Sequence, residues 1–98
     1  MQIKWTDLAS NDLDAIENYI TTENSPSVAM DVILRIINVT ELVLTNHPNA
    51  GRFGRLKGTR ELVIDGVPFL AVYRQLERLN QIQVLRVLHE AQQWPSAN

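Results

Sequence analysis

The chain has 98 residues, no cysteine and a formal net charge of −2. This length is enough for one modest hydrophobic core, so we expect a single domain over residues 1–98. The lack of cysteine excludes disulfides and thiolate metal sites, and it is compatible with a reducing compartment. No segment has the length and apolarity of a signal peptide core or a membrane span, so the sequence predicts neither secretion nor a membrane protein.

Charge is distributed unevenly along the chain. Residues 1–50 carry two cations against seven acids, a balance of −5, whereas residues 51–98 carry seven cations against four acids, a balance of +3. The positive half indicates either an anionic partner or an ordinary mixed surface. Because the whole chain is mildly acidic, we expect direct binding of nucleic acid to be weak or absent.

The N-terminal half predicts one short strand and one helix. Residues 1–5 form a β-prone run, and Thr6 or Asp7 can then cap a helix whose acids lie in its early turns. Apolar residues keep helical spacing as far as Ile20. We therefore expect a strand followed by a first helix.

A second, longer helix follows a polar connection. Ser25 and Pro26 are a cap and a proline at the first helical position, where its missing N–H does no harm. An apolar stripe then continues to Leu44, and residues 46–49 end the helix because the residue before a proline is pushed out of the helical region. For His47 in this turn we expect a capping or a solvated role. The short connection implies an antiparallel helical hairpin.

Residues 58–95 predict three antiparallel strands joined by turns at residues 65–68 and 77–80. If the second turn has an even number of residues, Tyr73 lies opposite Val84 and Val72 lies opposite Leu85. The expected faces are then both apolar, so each must be covered. One would carry Phe69, Ala71, Tyr73, Ile82, Val84, Arg86 and Leu88, and the other Leu70, Val72, Arg74, Leu76, Leu85, Val87 and His89.

The element order β-α-α-β-β-β predicts an α+β fold. In this fold a two-helix hairpin packs on one face of a mostly antiparallel four-stranded sheet. The other face is left for a partner or for the tail after residue 89, in which Trp94 is the natural apolar anchor.

Few residues predict enzyme chemistry. His47 and His89 are the only histidines, so a transition-metal site is disfavoured and no cofactor is expected. The glycine-punctuated loop at residues 51–58 lacks a nucleotide-binding pattern and precedes a strand rather than a helix, which excludes a nucleotide triphosphatase. It is either a solvated connector or a contact for an acidic partner.

One cationic cluster could support RNA cleavage. Arginines could stabilise a phosphorane and a histidine could protonate the leaving oxygen. Arg86 and His89 are three residues apart on one strand and are expected on opposite faces, which makes strand-surface arginines the simpler interpretation. The candidate catalytic residues of this alternative are Arg60, Tyr73, Arg74, Arg86 and His89.

The sequence resembles the ParE branch of the RelE/ParE superfamily of bacterial type II toxins. The resemblance rests on Trp5 with DLDAIENYI at 12–20, GTRELVI at 58–64, VPFLAVYR at 67–74 and VLRVLHEAQQW at 84–94. These motifs span nearly the whole chain in matching order and spacing.

The resemblance implies a microbial-RNase-like fold, a cytoplasmic toxin that inhibits growth and stabilises plasmids, and a cognate antitoxin whose disordered segment folds over the toxin in a hetero-oligomer. An acidic segment of this kind would suit the basic loop. The residues expected to bind partners are Arg52, Arg55, Lys57, Arg60, Phe69, Tyr73, Arg74, Arg86 and Trp94.

Members of the superfamily differ in target. RelE-like toxins cleave mRNA on the ribosome, whereas ParE-like toxins poison DNA gyrase without being enzymes. Leu70 stands where the mRNA-cleaving relatives carry an arginine, Glu90 and Ala91 stand where they are basic, and this chain is acidic where they are strongly basic. The resemblance therefore implies gyrase inhibition; the alternatives are a ribosome-dependent endoribonuclease and an inactive module that only binds an antitoxin.

Overall fold

The computed structural model describes residues 1–95. Its elements follow the predicted order with one addition. They are strand β1 (Gln2–Trp5), helices α1 (Asp7–Glu23) and α2 (Pro26–Asn46), and strands β2 (Arg52–Phe53), β3 (Arg60–Val63), β4 (Phe69–Leu76) and β5 (Gln81–His89), with a 3-10 turn at Glu77–Leu79 between the last two. No helix in residues 1–95 is long and apolar enough to cross a membrane.

Both helices begin at the predicted caps. The Thr6 hydroxyl accepts the N–H of Ala9 at 3.2 Å, and the Ser25 hydroxyl accepts the N–H of Val28 at the same distance. Each bond satisfies a donor that the first turn of a helix leaves free. His47 is the C-terminal cap residue of α2, as expected.

The sheet has five strands in the order β1-β5-β4-β3-β2 rather than the four predicted. Strand β1 pairs in parallel with β5, and all other neighbours are antiparallel. The additional strand, β2, is two residues long and lies in the basic loop predicted to be a connector. Two residues are too few to show an alternating pattern, so the sequence could not indicate this strand.

A β-bulge in β5 changes the predicted facing of its residues. Tyr73 pairs with Val84 as predicted, but Val72 pairs with Arg86 instead of Leu85, which leaves Leu85 as the extra residue. The side-chain period of a strand is two, so one extra residue exchanges the faces beyond it. Val87 consequently joins the core beneath the helices, while Leu88 lies on the opposite side.

The main core fills the space between the helical hairpin and the sheet. A second, smaller cluster lies on the sheet face away from the helices, which we call the distal face, where Leu70, Val72 and Leu88 pack with Trp94. Both faces are therefore apolar, and the tail partly covers the second, as predicted. The main core consists of Ala9, Ile20, Ala29, Ile36, Leu44, Leu62, Ile64, Phe69, Ala71, Tyr73, Ile82, Val84 and Val87.

Candidate partner-binding site

The five candidate catalytic residues do not converge on one point. Arg60 and Tyr73 are cross-strand partners on β3 and β4, and Arg86 and His89 lie opposite Val72 and Phe69 further along β4. Cross-strand partners point to the same side of a sheet, and side chains alternate along a strand. Val72 and Phe69 are three positions apart on β4 and point to opposite sides, so their partners Arg86 and His89 also point apart, as predicted.

The basic side chains of this set already have structural contacts. Arg74 donates from Nε to Oε1 of Gln83 at 2.9 Å, and Arg60 donates from Nη1 to the carbonyl of Gly51 at 2.8 Å. Nδ1 of His89 accepts the N–H of Ala91 at 3.0 Å, and the His89 ring stands edge-on to Phe69 with centroids 5.4 Å apart. Their geometry is typical of structural support.

Arg86 forms the shortest ion pair in the described chain, with 2.7 Å between its Nε and Oδ2 of Asp12. Its Nε and Nη2 donate to the two carboxylate oxygens of Asp12 on α1 at 2.7 and 3.0 Å, and the hydrogen bond to Asp12 raises the pKa of Arg86. Asp12 also accepts the N–H of Val87 at 2.9 Å. Strand β1 pairs with β5 only as far as Val84. Beyond that point the Asp12 carboxylate accepts the backbone N–H of Val87, which β1 no longer reaches.

Tyr73 is fully buried and organises the loop after α2. Its hydroxyl accepts the N–H of Gly51 at 2.9 Å and donates to the carbonyl of Pro48 at 2.7 Å. Burial raises the pKa of Tyr73, while the Gly51 N–H and the charge of Arg60 act in the opposite direction. A Cβ at Gly51 would come within 2.7 Å of the Tyr73 ring, so only glycine fits here.

Phe69 and Tyr73, which the sequence suggested as partner contacts, are 8% and 0% exposed. Their aromatic character serves the core beneath the helices, where they pack with the apolar residues of both layers. In the described fold neither side chain presents an exposed surface to a partner. Arg52, Arg55, Lys57 and Arg74 are exposed and are available to a partner.

The basic loop is held by a carboxylate that the sequence analysis did not single out. Glu61 of β3 is 1% exposed, and its Oε1 accepts from Nη2 of Arg52 at 3.0 Å while its Oε2 accepts from the N–H of Arg55 at 3.1 Å. Burial alone would raise the pKa of Glu61, but the Arg55 N–H and the two guanidinium groups together lower it. The loop is thus an ordered hairpin built around one buried charge.

Trp94 joins this hairpin to the distal face. Its carbonyl accepts from Nη1 of Arg55 at 3.2 Å, and its ring lies 5.3 Å from the guanidinium carbon of Arg86. Its indole Nε1 is buried and has no hydrogen-bond partner within residues 1–95. One side chain therefore holds the tail over Leu70, Val72 and Leu88.

A cleft of about 330 Å³ opens beside the edge hairpin, which we define as residues 52–63. Phe53, at the tip of β2, is 82% exposed, and the guanidinium carbon of Arg60 lies 4.4 Å from its ring centroid. The sequence analysis missed Phe53, although its position between Gly51 and Gly54 in a basic loop was a usable signal. The cleft is lined by Asn49, Phe53, Gly58, Thr59, Arg60, Tyr73, Arg74, Gln75 and Glu77.

Residues 1–95 contain no group of three or more His, Cys, Asp or Glu side chains that could hold a metal ion. The polar side chains that line the cleft are two arginines, two amides, two hydroxyls and the single carboxylate of Glu77, so the cations outnumber the acid. These groups suit carboxylates or phosphates better than cations.

Comparison with known proteins connects this arrangement to a family. Residues 3–94 match the family model described as "ParE toxin of type II toxin-antitoxin system, parDE". The protein described as "Putative toxin Y4kP" from Sinorhizobium fredii (strain NBRC 101917 / NGR234) is 39% identical over 94 residues, which is 96% of this chain and 93% of that protein.

Solved structures agree with this relationship. A chain of the chromosomal ParDE toxin–antitoxin system from P. aeruginosa superposes with a TM-score of 0.83 at 32% identity, covering 91% of this chain and 95% of that one. A chain of the RelBE2 toxin–antitoxin complex from Mycobacterium tuberculosis has the same fold, with a TM-score of 0.67 at 19% identity over 90% of this chain and 95% of that one.

A helical hairpin on a mixed sheet with this topology is the fold of the RelE/ParE toxins. Within this class, the present chain belongs to the ParE family of type II toxin–antitoxin toxins.

Proposed function

We propose that this protein arrests bacterial growth by inhibiting DNA gyrase through protein–protein contact, and that a cognate antitoxin neutralises it. The match to the ParE toxin model over residues 3–94 carries the proposal. Characterised ParE-like toxins, which the sequence resembles, act on gyrase. Gyrase works on the bacterial chromosome, so the proposal places the protein in the cytoplasm.

The dispersal of the cationic residues supports inhibition without catalysis. In-line cleavage of RNA needs an acid, a base and cations directed at one phosphate. Arg86 is bound to Asp12 at the edge of β5. His89 points to the opposite side of the sheet from Arg86 and stands edge-on to Phe69. Arg74 is held by Gln83. Leu70, in the position of the arginine of mRNA-cleaving relatives, is 1% exposed and belongs to the distal cluster.

The distal face supports a hetero-oligomer with an antitoxin. It presents an apolar cluster under a single indole ring, bordered by Arg52 and Arg55, which stay 56% and 39% exposed although both contact Glu61. An acidic, partly apolar segment that orders on binding would complement both features. The systems that contain the two structural relatives are named as toxin–antitoxin systems.

The decisive experiment runs two assays in parallel, one with purified gyrase and one with ribosome-bound mRNA. Supercoiling and DNA cleavage are measured with the toxin alone and with its antitoxin, and mRNA cleavage is measured on the same preparation. We expect loss of supercoiling and trapped double-strand breaks, reversal by antitoxin, and intact mRNA. Unaffected gyrase with codon-positioned mRNA cuts would establish the endoribonuclease alternative instead.

A pair of arginine variants separates inhibition from catalysis. Arg86→Ala tests the candidate catalytic cation, and Arg78→Ala, on the exposed 3-10 turn, is the control for loss of one positive charge. A ribonuclease would lose about 100-fold or more of its mRNA cleavage in the first variant only. For a gyrase inhibitor, we expect Arg86→Ala to lose inhibition only to the extent that its fold is destabilised, as measured by thermal unfolding.

A further inference from the structure

The edge hairpin is held in place by polar contacts rather than by apolar packing of strand β2. Strand β2 has two residues, and both side chains are exposed, so it adds nothing to either core. An element of this kind ordinarily frays unless other contacts hold it. Here three separate sets of contacts do so.

The first set uses a buried charge. Glu61 is removed from water and accepts hydrogen bonds from Arg52 on β2 and from the backbone of Arg55 in the hairpin loop. A buried carboxylate is expensive to desolvate and is weak evidence for stability as such. Its effect is to fix the loop relative to β3.

The second set uses buried polar atoms at the start of β2. The hydroxyl of Tyr73 accepts the Gly51 N–H, and Arg60 donates to the Gly51 carbonyl, so both backbone groups of the residue before β2 are bonded. The hairpin itself is closed by the N–H of Gly54, which donates to the carbonyl of Thr59 at 2.8 Å. The backbone on both sides of Phe53 is thereby fixed.

The third contact fixes the Phe53 side chain. Arg60 lies over one face of its ring at 4.4 Å and itself donates to the Gly51 carbonyl, so this orientation of the ring is favoured. The other side of the ring is in solvent, and Phe53 is the most exposed of the large hydrophobic residues in the described chain, at 82%. An aromatic side chain next to an arginine is typical of interface hot spots, and a favoured ring orientation lowers the cost of ordering it on binding.

The chemistry of the neighbouring cleft indicates the partner. Arg60 and Arg74 line the cleft against a single acid, Glu77, so it favours a carboxylate. A nucleic acid would need an uninterrupted basic groove, whereas the whole chain has a net charge of −2 and one face of the Phe53 ring is already covered. A folded protein surface fits these features better.

We propose that Phe53, supported by Arg60, is the contact through which this chain grips its target protein, and that the target offers an apolar pocket for the ring with a carboxylate beside it for Arg60 and Arg74. This surface lies at the β2 edge of the sheet and is separate from the distal face assigned above to the antitoxin. The inference rests on the proposed function only in taking gyrase as the target.

Phe53→Ala tests this surface, with Tyr19→Ala as the matched control. Both residues are exposed aromatics, and Tyr19, on α1, is 67% exposed and is not among the residues that line the cleft. Each full-length variant is assayed for binding to purified gyrase, to the cognate antitoxin and to a single-stranded oligothymidylate, and for growth arrest in cells. Thermal unfolding verifies that both variants are folded.

We expect Phe53→Ala to bind gyrase about tenfold more weakly or worse and to lose growth arrest. Its affinity for the antitoxin should stay within about twofold, as should every property of Tyr19→Ala. Unchanged gyrase binding and growth arrest in Phe53→Ala would overturn the inference, and so would a loss confined to antitoxin binding. A loss confined to the oligonucleotide would assign the ring to nucleic acid and overturn the protein target.

Failure of the proposed function gives a different pattern. If the wild-type chain arrests growth without binding gyrase, the gyrase assignment is wrong, and growth arrest alone decides the role of Phe53. Loss of arrest in Phe53→Ala with antitoxin binding retained would then support a different target protein at this surface. Arrest equal to wild type would overturn the inference, and a wild-type chain that neither binds gyrase nor arrests growth would overturn both.

Discussion

At the scale of single residues, buried polar groups shape the binding surface without touching a partner. Tyr73 is 0% exposed, yet its hydroxyl bonds two backbone groups of the loop that leads into β2. Glu61 is 1% exposed and holds two exposed arginines. Neither residue can act on a target directly, so each affects function through the position of the edge hairpin.

Tyr73→Phe should destabilise the fold by about 1–3 kcal/mol, because the Gly51 N–H is left buried without an acceptor. Urea denaturation followed by circular dichroism measures this change. Tyr19→Phe removes a hydroxyl from an exposed ring and should change stability by less than about 0.5 kcal/mol. Equal stabilities of the two variants would show that the Tyr73 hydroxyl has no net role.

Glu61→Gln should destabilise the protein by about 1.5–3 kcal/mol at neutral pH, because the buried amide has no charge for the two arginines and keeps only one acceptor oxygen for the two donors, Nη2 of Arg52 and the N–H of Arg55. The folded-state pKa of Glu61 is depressed below its ordinary value of 4.5. Its ionised form therefore adds stability that is fully present above that value and is lost as the pH falls through the folded-state pKa.

The advantage of wild type over Glu61→Gln should accordingly shrink on acidification below pH 4.5. Urea denaturation at a series of pH values measures it. A difference that stays constant across this range would mean that the carboxylate is not ionised through contact with Arg52 and Arg55.

At the scale of elements, α1 is fastened to the edge of β5 at the point where β1 stops. The Thr6 hydroxyl donates to the carbonyl of Leu85 at 3.1 Å while it also caps α1, and Asp12 accepts the N–H of Val87. These bonds flank the bulge at Leu85 and satisfy backbone groups that would otherwise lie on an open edge. The helix thus completes the pairing that β1 is too short to provide.

Asp12→Ala should lower stability by about 2–3 kcal/mol, because it leaves Arg86 without its carboxylate and the Val87 N–H without an acceptor. For a chain of this size the melting temperature should fall by about 10–15 °C. Asp14→Ala is the control, since Asp14 is an exposed acid on the same helix. If both variants melted together, the Arg86–Asp12 pair would contribute nothing beyond surface charge.

At the scale of the whole molecule, the sheet is covered unequally on its two faces. The helical hairpin buries one face, whereas among residues 1–95 the distal face is covered only where Trp94 lies over Leu70, Val72 and Leu88. The indole Nε1 is buried and finds no hydrogen-bond acceptor in the part of the chain that the structure describes. The distal face is therefore the less completely covered of the two in the described residues.

Trp94→Ala should destabilise the fold by about 2–3 kcal/mol and increase the binding of an apolar fluorescent dye, because three apolar side chains become exposed. Trp94→Phe should stay within about 1 kcal/mol of wild type, since it keeps a ring on the cluster and removes the unpaired N–H. Chemical denaturation and dye titration measure both. A phenylalanine variant as unstable as the alanine variant would contradict this interpretation of the indole.

Much of the architecture was readable from the sequence because its signals are local. The caps at Thr6 and Ser25 were correct, as was the tail anchor at Trp94. The candidate site was harder to predict from the sequence. Arg52 and Arg55 lie on the exposed surface as expected, but Phe69 and Tyr73 are interior, and Phe53, Glu61 and Asp12 were missed.

The sequence by itself determined the order of the elements, the two apolar faces of the sheet and the ParE family, because periodicity, capping and motif order depend on neighbouring residues. Only the tertiary structure decided the bulge at Leu85, the strand at Arg52–Phe53 and the partners of each arginine. Asp12 and Arg86 are 74 positions apart. Whether a cation is free for a target or engaged in a structural ion pair depends on such distant contacts, which no local pattern records.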